Sequence, residues 1–241
     1  MGLFDRKTCD ICGEKIGLLG NRKLDDGNIC KSCANKLSPW FTGRKASTVE
    51  AIRAQLAYRE ANKAEVPNFV VGKTLGKDTK VYISADGSKF IVTRSSNWKN
   101  ENPDIIDITA VTGVRIDISD SRSEEKRKDS EGKEVSFNPP RYTYDYDVRV
   151  SVSVNHPYFS EMNFAVDDDI QISVIGSMPP RPESNIQYTE AVKMAQEIKD
   201  TLEKGAAGPA VQTAVKCPHC GATTIPTANG CCEYCGGAIG R

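Results

Sequence analysis

Residues 9–33 read CDICGEKIGLLGNRKLDDGNICKSC and contain two pairs of cysteines. Within each pair two residues separate the cysteines, and 17 residues separate Cys12 from Cys30. A short turn of this length can direct two thiolates at one ion, so two turns supply the four ligands of tetrahedral Zn²⁺ at about 2.3 Å. The stretch therefore predicts a structural zinc site formed by Cys9, Cys12, Cys30 and Cys33.

The same pattern returns near the C-terminus, where residues 217–236 read CPHCGATTIPTANGCCEYCG. It predicts a second zinc site formed by Cys217, Cys220, Cys232 and Cys235. Cys231 is the remaining cysteine, because only Cys232 leaves two residues before Cys235. His219 could compete as a ligand, but four thiolates already fill the coordination shell, and we expect its ring to face solvent.

An exchanging dithiol is the alternative interpretation of a CxxC pair. Each pair here has a partner pair, and none follows a strand and precedes a long helix as a thioredoxin-type motif would. Residues 1–7 contain neither the apolar core of a secretory signal nor a myristoylation motif, since Arg6 stands where Ser or Thr is expected. We therefore expect a reducing, cytoplasmic location, where disulfides are disfavoured.

The residues beside the cysteines predict two different small folds. Glycines follow three of the pairs, at positions 13, 221 and 236, and allow a tight turn through positive φ. In the first cluster, a hairpin over residues 24–29 and a short helix from Cys30 through Leu37 are typical of a treble clef. In the second, a strand at residues 223–225 and a turn at Asn229-Gly230, with no helix after it, are typical of a zinc ribbon.

Charge restricts the range of partners. The 241 residues contain 32 basic and 32 acidic side chains, which argues against DNA binding that rests on phosphate neutralisation. Residues 1–45 contain nine basic and five acidic residues, so this segment stays mildly basic after a four-thiolate zinc site adds its net charge of −2. Residues 46–205 contain 21 basic and 26 acidic residues. No apolar run reaches the roughly 20 residues of a membrane span.

The middle of the chain predicts an α+β domain with antiparallel strands. Ser47-Thr48-Val49-Glu50 resembles a capping box at the start of a helix with apolar positions Val49, Ile52, Leu56 and Ala57. A hairpin signal at residues 80–93 and alternating residues in five later segments then predict strands. We place those segments at residues 105–108, 114–118, 142–154, 161–166 and 170–174. An amphipathic helix marked by Ala191, Ala195, Ile198 and Leu202 closes the domain and is expected to end at Gly205. Such an order is compatible with a pleckstrin-homology-like (PH-like) topology.

Several other features are expected to be structural. Residues 119–140 are rich in charges of both signs and predict a solvated, mobile hairpin loop. Asp167-Asp168-Asp169 lacks the spacing of a calcium loop and predicts a solvated turn. His156 is expected to pack or cap beside Pro157, and the Trp40-Phe41 pair and Trp98 to fill the small core beneath a metal module. Motifs of nucleotide-binding P-loops, serine hydrolases and zinc proteases do not occur.

Two segments resemble known modules. Gly2-Leu3-Phe4-Asp5, Cys9-Asp10-Ile11-Cys12-Gly13 and the residues onward to about 65 resemble an uncharacterised bacterial domain family with an N-terminal four-cysteine zinc module. Separately, Cys217-Pro218-His219-Cys220-Gly221 with Cys232-Glu233-Tyr234-Cys235-Gly236 is similar to zinc-ribbon modules of many bacterial proteins. The resemblance implies zinc and a bacterial cytoplasmic home, and it carries no established activity.

Together these observations predict five segments: a treble-clef-like zinc module at 1–45, a linking helix at 46–66, a β-rich domain with a C-terminal helix at 67–205, a flexible linker at 206–215, and a zinc ribbon at 216–241. The expected function is non-enzymatic, with two structural Zn²⁺ ions and with modules that mediate macromolecular interaction, protein partners first. One alternative is nucleic-acid binding through the N-terminal module, near Trp40 and the basic residues Arg22, Lys23, Lys31, Lys36, Arg44 and Lys45. Another is lipid recognition by the PH-like domain.

Overall fold

A computed structural model describes residues 7–207, 215–224, 227 and 231–239. They form two compact units, one within Met1–Ala206 and the other within Ala207–Arg241. The expected linker overlaps residues 208–214, and so lies largely outside the described residues. Across the described ranges, no helix combines the length and apolar character that would let it cross a membrane.

The first unit begins with strands β1 (Asn21–Lys23) and β2 (Asn28–Cys30) and helices α1 (Lys31–Ala34) and α2 (Val49–Glu65). Strands β3 to β9 and helix α3 follow, with short 3-10 turns between some of them. Their ranges are Val71–Leu75, Lys80–Ser84, Lys89–Thr93, Ile106–Asp107, Val111–Lys128, Glu134–Val154, Glu161–Ile175 and, for α3, Ile186–Ala206. The second unit contains β10 (Val215–Lys216) and β11 (Thr223–Thr224).

Two antiparallel sheets make up the middle of the first unit. One has the order β3-β4-β5-β6 and the other the order β7-β8-β9. Inward side chains of both sheets, such as Val81, Phe90 and Val150, join the inner face of α3 in one core from which water is excluded. The expectation of an α+β fold with antiparallel sheets and a closing helix is confirmed.

The hairpin of β4 and β5 has the predicted bounds, and the Asp86 side chain explains why. Its carboxylate accepts hydrogen bonds from the Ser84 hydroxyl at 2.6 Å and from the backbone N–H of Ser88 at 3.0 Å. The Ser84 hydrogen bond is the largest of the effects that lower the pKa of Asp86 to about 2. An aspartate at this position of a tight turn thus satisfies local donors that the strands leave unpaired.

Helix α3 buries the four residues predicted from its spacing, Ala191, Ala195, Ile198 and Leu202. The expected end at Gly205 is wrong, since the helix continues through Ala206. A Cβ atom at Gly205 would lie 2.2 Å from the Cδ1 atom of Ile108. This glycine therefore serves close packing between the helix and the segment before β7 rather than a change of backbone direction.

The expected loop at 119–140 is a paired β-hairpin. Strands β7 and β8 stay paired out to Lys128 opposite Glu134. Within this arm the register shifts once, where residues 137–140 bulge from β8 between two paired positions. The Asp129 carboxylate closes the turn by accepting from the N–H groups of Glu131 and Lys133, both at 2.9 Å. Because residues 119–128 are all polar, they show no alternation that would reveal a strand, and backbone pairing alone defines it.

Strand β9 is continuous where a turn and a separate last strand were predicted. Asp167, Asp168 and Asp169 lie within it, at an irregularity where Tyr146 pairs with Ile170 and Val148 pairs with Asp167. The extra residues form a β-bulge, which lets polar side chains project without ending the strand. Asp168 is solvated as expected, and its carboxylate accepts from the guanidinium of Arg94 at 2.9 Å.

Helix α2 starts one residue later than the capping-box interpretation proposed. Thr48 is the N-cap, with its hydroxyl accepting from Ala51 N–H at 3.2 Å, whereas the Ser47 hydroxyl donates to Gly43 O. Asp26 accepts from Val49 N–H at 2.7 Å and so ties the helix start to the hairpin of β1 and β2. Of the four predicted apolar positions, Ile52 is buried and Ala57 is exposed.

Candidate metal centres

The first candidate centre contains the four N-terminal cysteines predicted to bind zinc. Their sulfur atoms all lie within 4.8 Å of one another, and Sγ of Cys12 lies 3.8 Å from Sγ of Cys30. Sulfurs placed about 2.3 Å from a central ion at the corners of a tetrahedron are about 3.8 Å apart, whereas a disulfide requires about 2.05 Å. The arrangement therefore fits a tetrahedral metal ion.

Two kinds of local structure supply these ligands. Cys9 and Cys12 lie on a turn in which Cys9 N–H donates to Glu14 O at 2.9 Å and Gly13 N–H donates to Cys9 O at 2.8 Å. Gly13 has φ +77°, as expected for a glycine that lets the chain turn back around an ion. Cys30 instead caps α1, and its sulfur accepts from Cys33 N–H at 3.4 Å. The helix ends at Ala34, shorter than predicted.

An apolar core supports the first centre from one side. Leu24 and Ile29 are fully buried, and they pack with Ile16, Leu37 and Ile52 of α2. Phe41 contacts this core, as expected from the sequence. Trp40 instead contacts the core of the two sheets, and Trp98 is buried with Phe69, Tyr82 and Ile91, so that both tryptophans lie away from the expected place.

The second candidate centre repeats the same geometry in the second unit. Sγ of Cys217 lies 3.7 Å from Sγ of Cys235, and Sγ of Cys220 lies 3.7 Å from Sγ of Cys232. All four sulfurs lie within 4.8 Å of one another. The predicted strand at Thr223-Thr224 pairs with β10, while the predicted Asn229-Gly230 turn lies outside the described residues. Cys232, rather than its neighbour Cys231, belongs to the cluster.

Both pairs of the second centre lie on turns of the kind seen at Cys9. Gly221 N–H donates to Cys217 O at 2.9 Å, and Gly236 N–H donates to Cys232 O at 2.8 Å. These glycines have φ +74° and +70°. Three of the four cysteine pairs therefore share one turn structure, and the fourth uses the start of a helix.

His219 lies beside the second centre without joining it. Its ring is exposed, and Nε2 lies 3.2 Å from Ala238 O. The ring also passes close to Gly237, where a Cβ atom would lie 2.6 Å from the ring carbon Cδ2. The imidazole therefore contacts the backbone at Gly237 and Ala238 and lies outside the sulfur cluster.

The closely spaced thiols of each cluster differ in pKa. Backbone N–H groups, first that of Cys220, lower the pKa of Cys217 to about 6. The N–H of Gly237 lowers the pKa of Cys235, but the thiols of Cys220, Cys217 and Cys232 together with burial outweigh it and raise that pKa to about 12. In the first centre the pKa of Cys33 is raised, chiefly by burial. Four sulfurs this close cannot all ionise without a cation, and a divalent metal ion would supply the missing charge.

A buried polar network joins the first centre to the sheets, and its residues were not predicted from the sequence. The Arg59 guanidinium of α2 donates to Oδ1 of Asp104 at 2.6 Å, and Ser38, just after the cysteines, donates to Oδ2 at 2.8 Å. Tyr58 donates to the same carboxylate at 3.3 Å. Arg59 also donates from Nε to Lys36 O at 3.3 Å. We call Ser38, Arg59, Asp104, Asn62 and Asn102 the junction network.

Asn62 and Asn102 complete this network. Asn62 donates to Asn102 Oδ1 at 2.6 Å and to Pro103 O at 2.7 Å, and accepts from Ile105 N–H at 2.9 Å. Asn102 has φ +52°, a conformation that asparagine tolerates better than most residues. The one signal in the sequence is that the polar residues at 55, 59 and 62 lie at helical spacing from the apolar Ile52 and so share its face of α2.

The N-terminal part of the chain resembles a known family. A family described as a domain of unknown function, DUF4428, matches residues 8–55, which include the first centre and the start of α2. The resemblance noted from the sequence is confirmed for these residues. No curated protein and no solved structure matches the chain.

Proposed function

We propose that this chain is a non-enzymatic protein with two structural Zn²⁺ ions that presents rigid surfaces to another macromolecule. The observation that carries the metal assignment is the spacing of 3.7–3.8 Å between sulfurs in both clusters. Four thiolates leave no open position on zinc, so each ion stabilises a fold rather than activating water. The first site would be a treble clef and the second a zinc ribbon.

The junction network supports the docking part of the proposal. Asp104 is fully buried, and its partners come from two segments that are far from it in sequence, one at Ser38 and one at Tyr58 and Arg59. Such a network holds the N-terminal metal module in one orientation on the sheets, because each group would lose its only buried partners if the module moved. A module held in this way can present a surface of constant shape.

A protein is the partner we propose first. The charges around the first centre are modest, and two of its cations already make local contacts: Arg44 donates to Lys23 O, and Arg22 donates to Leu19 O and Asn21 O at 3.1 Å. These contacts weaken the alternative of nucleic-acid binding, which needs several cations free to meet phosphates. The acidic balance of residues 46–205 likewise disfavours anionic lipid binding by the sheets.

The remaining parts of the proposal concern fold and location. A four-stranded and a three-stranded antiparallel sheet closed by a C-terminal helix support a PH-like topology for the middle of the chain. The predicted division at residues 45, 66, 205 and 215, the bacterial origin and the cytoplasmic location stay predictions. A reducing cytoplasm would suit eight cysteines that form no disulfide with one another.

The proposal is tested first on the full chain by elemental analysis and then by partner capture. We expect two equivalents of zinc per chain, and fewer than two would contradict the metal assignment. Protein-protein crosslinking in the native cell, compared between the wild type and Asp104→Ala, should then lose partners that depend on the orientation of the first module. Crosslinks that are unchanged by Asp104→Ala would contradict docking through the module as oriented by the network.

A further inference from the structure

The loop between the first cysteine turn and β1 has an apolar tip. Leu18 and Leu19 are 91% and 90% exposed, the highest values among large apolar side chains of the described residues. They are neighbours in sequence, with glycines at 17 and 20 on either side. Single exposed leucines are common, but two adjacent leucines projecting from one loop form a local apolar surface that water solvates poorly.

The loop is held in place by its own hydrogen bonds. Gly20 N–H donates to Gly17 O at 3.0 Å, and the Arg22 guanidinium donates to Leu19 O at 3.1 Å. Below the tip, Ile16 is buried in the core of the first centre, and its N–H donates to Lys7 O at 2.8 Å. The leucines are therefore presented by a structured turn that stands on the metal module.

The charged residues that flank the two leucines are basic. Lys15, Arg22 and Lys23 flank the two leucines, and residues 15–24 contain no acidic residue. Asp10 and Asp26 are directed elsewhere: Asp10 accepts from Asn28 N–H at 2.7 Å, and Asp26 accepts from Val49 N–H at the start of α2. Glu14, next to Lys15, and Asp25, two residues after Lys23, are the nearest acidic neighbours along the chain. The tip thus combines apolar side chains with a basic surround.

We propose that this loop, residues 15–23, docks on an anionic lipid bilayer, with Leu18 and Leu19 entering the boundary between head groups and acyl chains. The flanking Lys15 and Lys23 would then meet phosphate and carboxylate groups at the surface, while Arg22 holds the loop through Leu19 O. Interfacial binding of this kind depends on buried apolar area together with attraction to anionic lipids. A protein groove would have to match the shape of the tip, whereas a bilayer accepts two leucines on a projecting loop without such a match.

This inference goes beyond the proposed function, because it assigns a membrane partner to one loop and makes no use of the second centre. The sheets, with their acidic balance, take no part in it. The two proposals can therefore fail independently. Zinc content and crosslinked protein partners test the first, and vesicle binding tests the second.

The experiment measures cosedimentation of the full zinc-loaded chain with vesicles. Vesicles of phosphatidylcholine alone are compared with vesicles that also contain phosphatidylserine, at about 0.1 M salt, where screening extends over about 10 Å. We expect binding that requires phosphatidylserine. Leu18→Ser combined with Leu19→Ser should weaken the apparent affinity about tenfold or more. Lys15→Ala or Lys23→Ala should each weaken it about fivefold.

A matched control removes two other exposed apolar side chains of the same unit. Met178 and Ile186 are 81% and 75% exposed, and Met178→Ser combined with Ile186→Ser should leave vesicle binding unchanged. In a second readout, Leu19→Trp should show a blue shift of tryptophan emission on adding vesicles and quenching by brominated acyl chains. All these positions are exposed, so the variants should fold and retain two equivalents of zinc.

Three results would overturn the inference. The first is no binding to phosphatidylserine vesicles by the wild type. The second is binding that survives loss of both leucines, which would indicate electrostatic attraction alone. The third is loss of a crosslinked protein partner in the Leu18→Ser, Leu19→Ser variant without any vesicle binding by the wild type, which would identify the tip as a protein contact.

Discussion

The two four-cysteine clusters contain the same kind of side chain and have different surroundings. The first lies against a core that contains fully buried Leu24 and Ile29 and is joined to the sheets by a buried ion pair. In the second, the buried residues among 215–224, 227 and 231–239 are Cys217, Thr224 and Cys232. In the first centre a metal ion would be one part of a larger core, whereas in the second it would be nearly all of the core. Folding of the second unit should therefore depend far more on the metal.

Loss of a ligand from the second centre should have the largest effect. Structural zinc contributes about 10–16 kcal/mol to folding of small zinc modules. Cys232→Ser should reduce bound zinc from two equivalents to one and remove the dispersed NMR signals of residues 215–239. Signals of the first unit should remain unchanged.

Cys231→Ser is the matched control, because it alters the neighbouring cysteine outside the cluster. It should keep two equivalents of zinc by elemental analysis. If Cys231→Ser instead removed one equivalent and Cys232→Ser did not, the assignment of the second centre would be wrong.

The next largest effect should come from the junction network. Asp104→Ala leaves Arg59 buried without its carboxylate, and breaking a buried ion pair in this way costs about 3–5 kcal/mol. Urea denaturation of the full chain should show this loss. Removal of Asp168, whose pair with Arg94 is exposed, should cost at most about 1 kcal/mol. Equal losses in the two variants would contradict a special role for the network.

Substitutions at the turn glycines should distinguish the centres on a smaller scale. Gly13→Ala and Gly221→Ala each place a side chain at positive φ, where nothing crowds the new Cβ, so each should cost about 1 kcal/mol of backbone strain. In competition with a zinc chelator, Gly221→Ala should lose more metal affinity than Gly13→Ala, because the second unit has little other core.

Gly17→Ala provides the control for both, because Gly17 has equal space without positive φ. It should leave chelator competition at the first centre unchanged. A loss equal to that of Gly13→Ala would show that strain at positive φ is not the cause.

The smallest expected effect is a pH dependence at His156. Burial lowers the pKa of His156, and the opposing attraction of Asp104 is weaker. The ring stacks on Phe159 at 4.0 Å and meets Tyr58 edge-on at 5.1 Å, so it packs as predicted. Below about pH 6.5 the unfolded chain binds a proton that the folded chain resists, so stability should fall as pH decreases.

Thermal unfolding at pH 7 and at about pH 5.5, on either side of the ordinary histidine pKa, would measure this effect. His156→Gln should reduce the difference between the two pH values. An unchanged difference would assign the pH dependence to other groups.

Prediction succeeded where a local pattern has one structural solution. The cysteines predicted from their spacing form the two observed clusters of four, and the turn at Asp86 defines the end of β4 and the start of β5. It failed at residues 119–140, because an exposed two-stranded arm needs no alternation of apolar and polar residues. It failed again at Gly205, whose neighbour Ile108 lies almost a hundred positions earlier.

The sequence by itself determined the two four-cysteine clusters, the mixed α+β class and the apolar face of α3, since each depends on residues a few positions apart along the chain. The tertiary structure decided how the first centre is joined to the sheets, through the buried pair of Arg59 and Asp104. Arg59 and Asp104 are 45 positions apart, and either alone looks like an ordinary surface charge. A buried ion pair exists only when folding brings both groups together out of water, and no local pattern records that event.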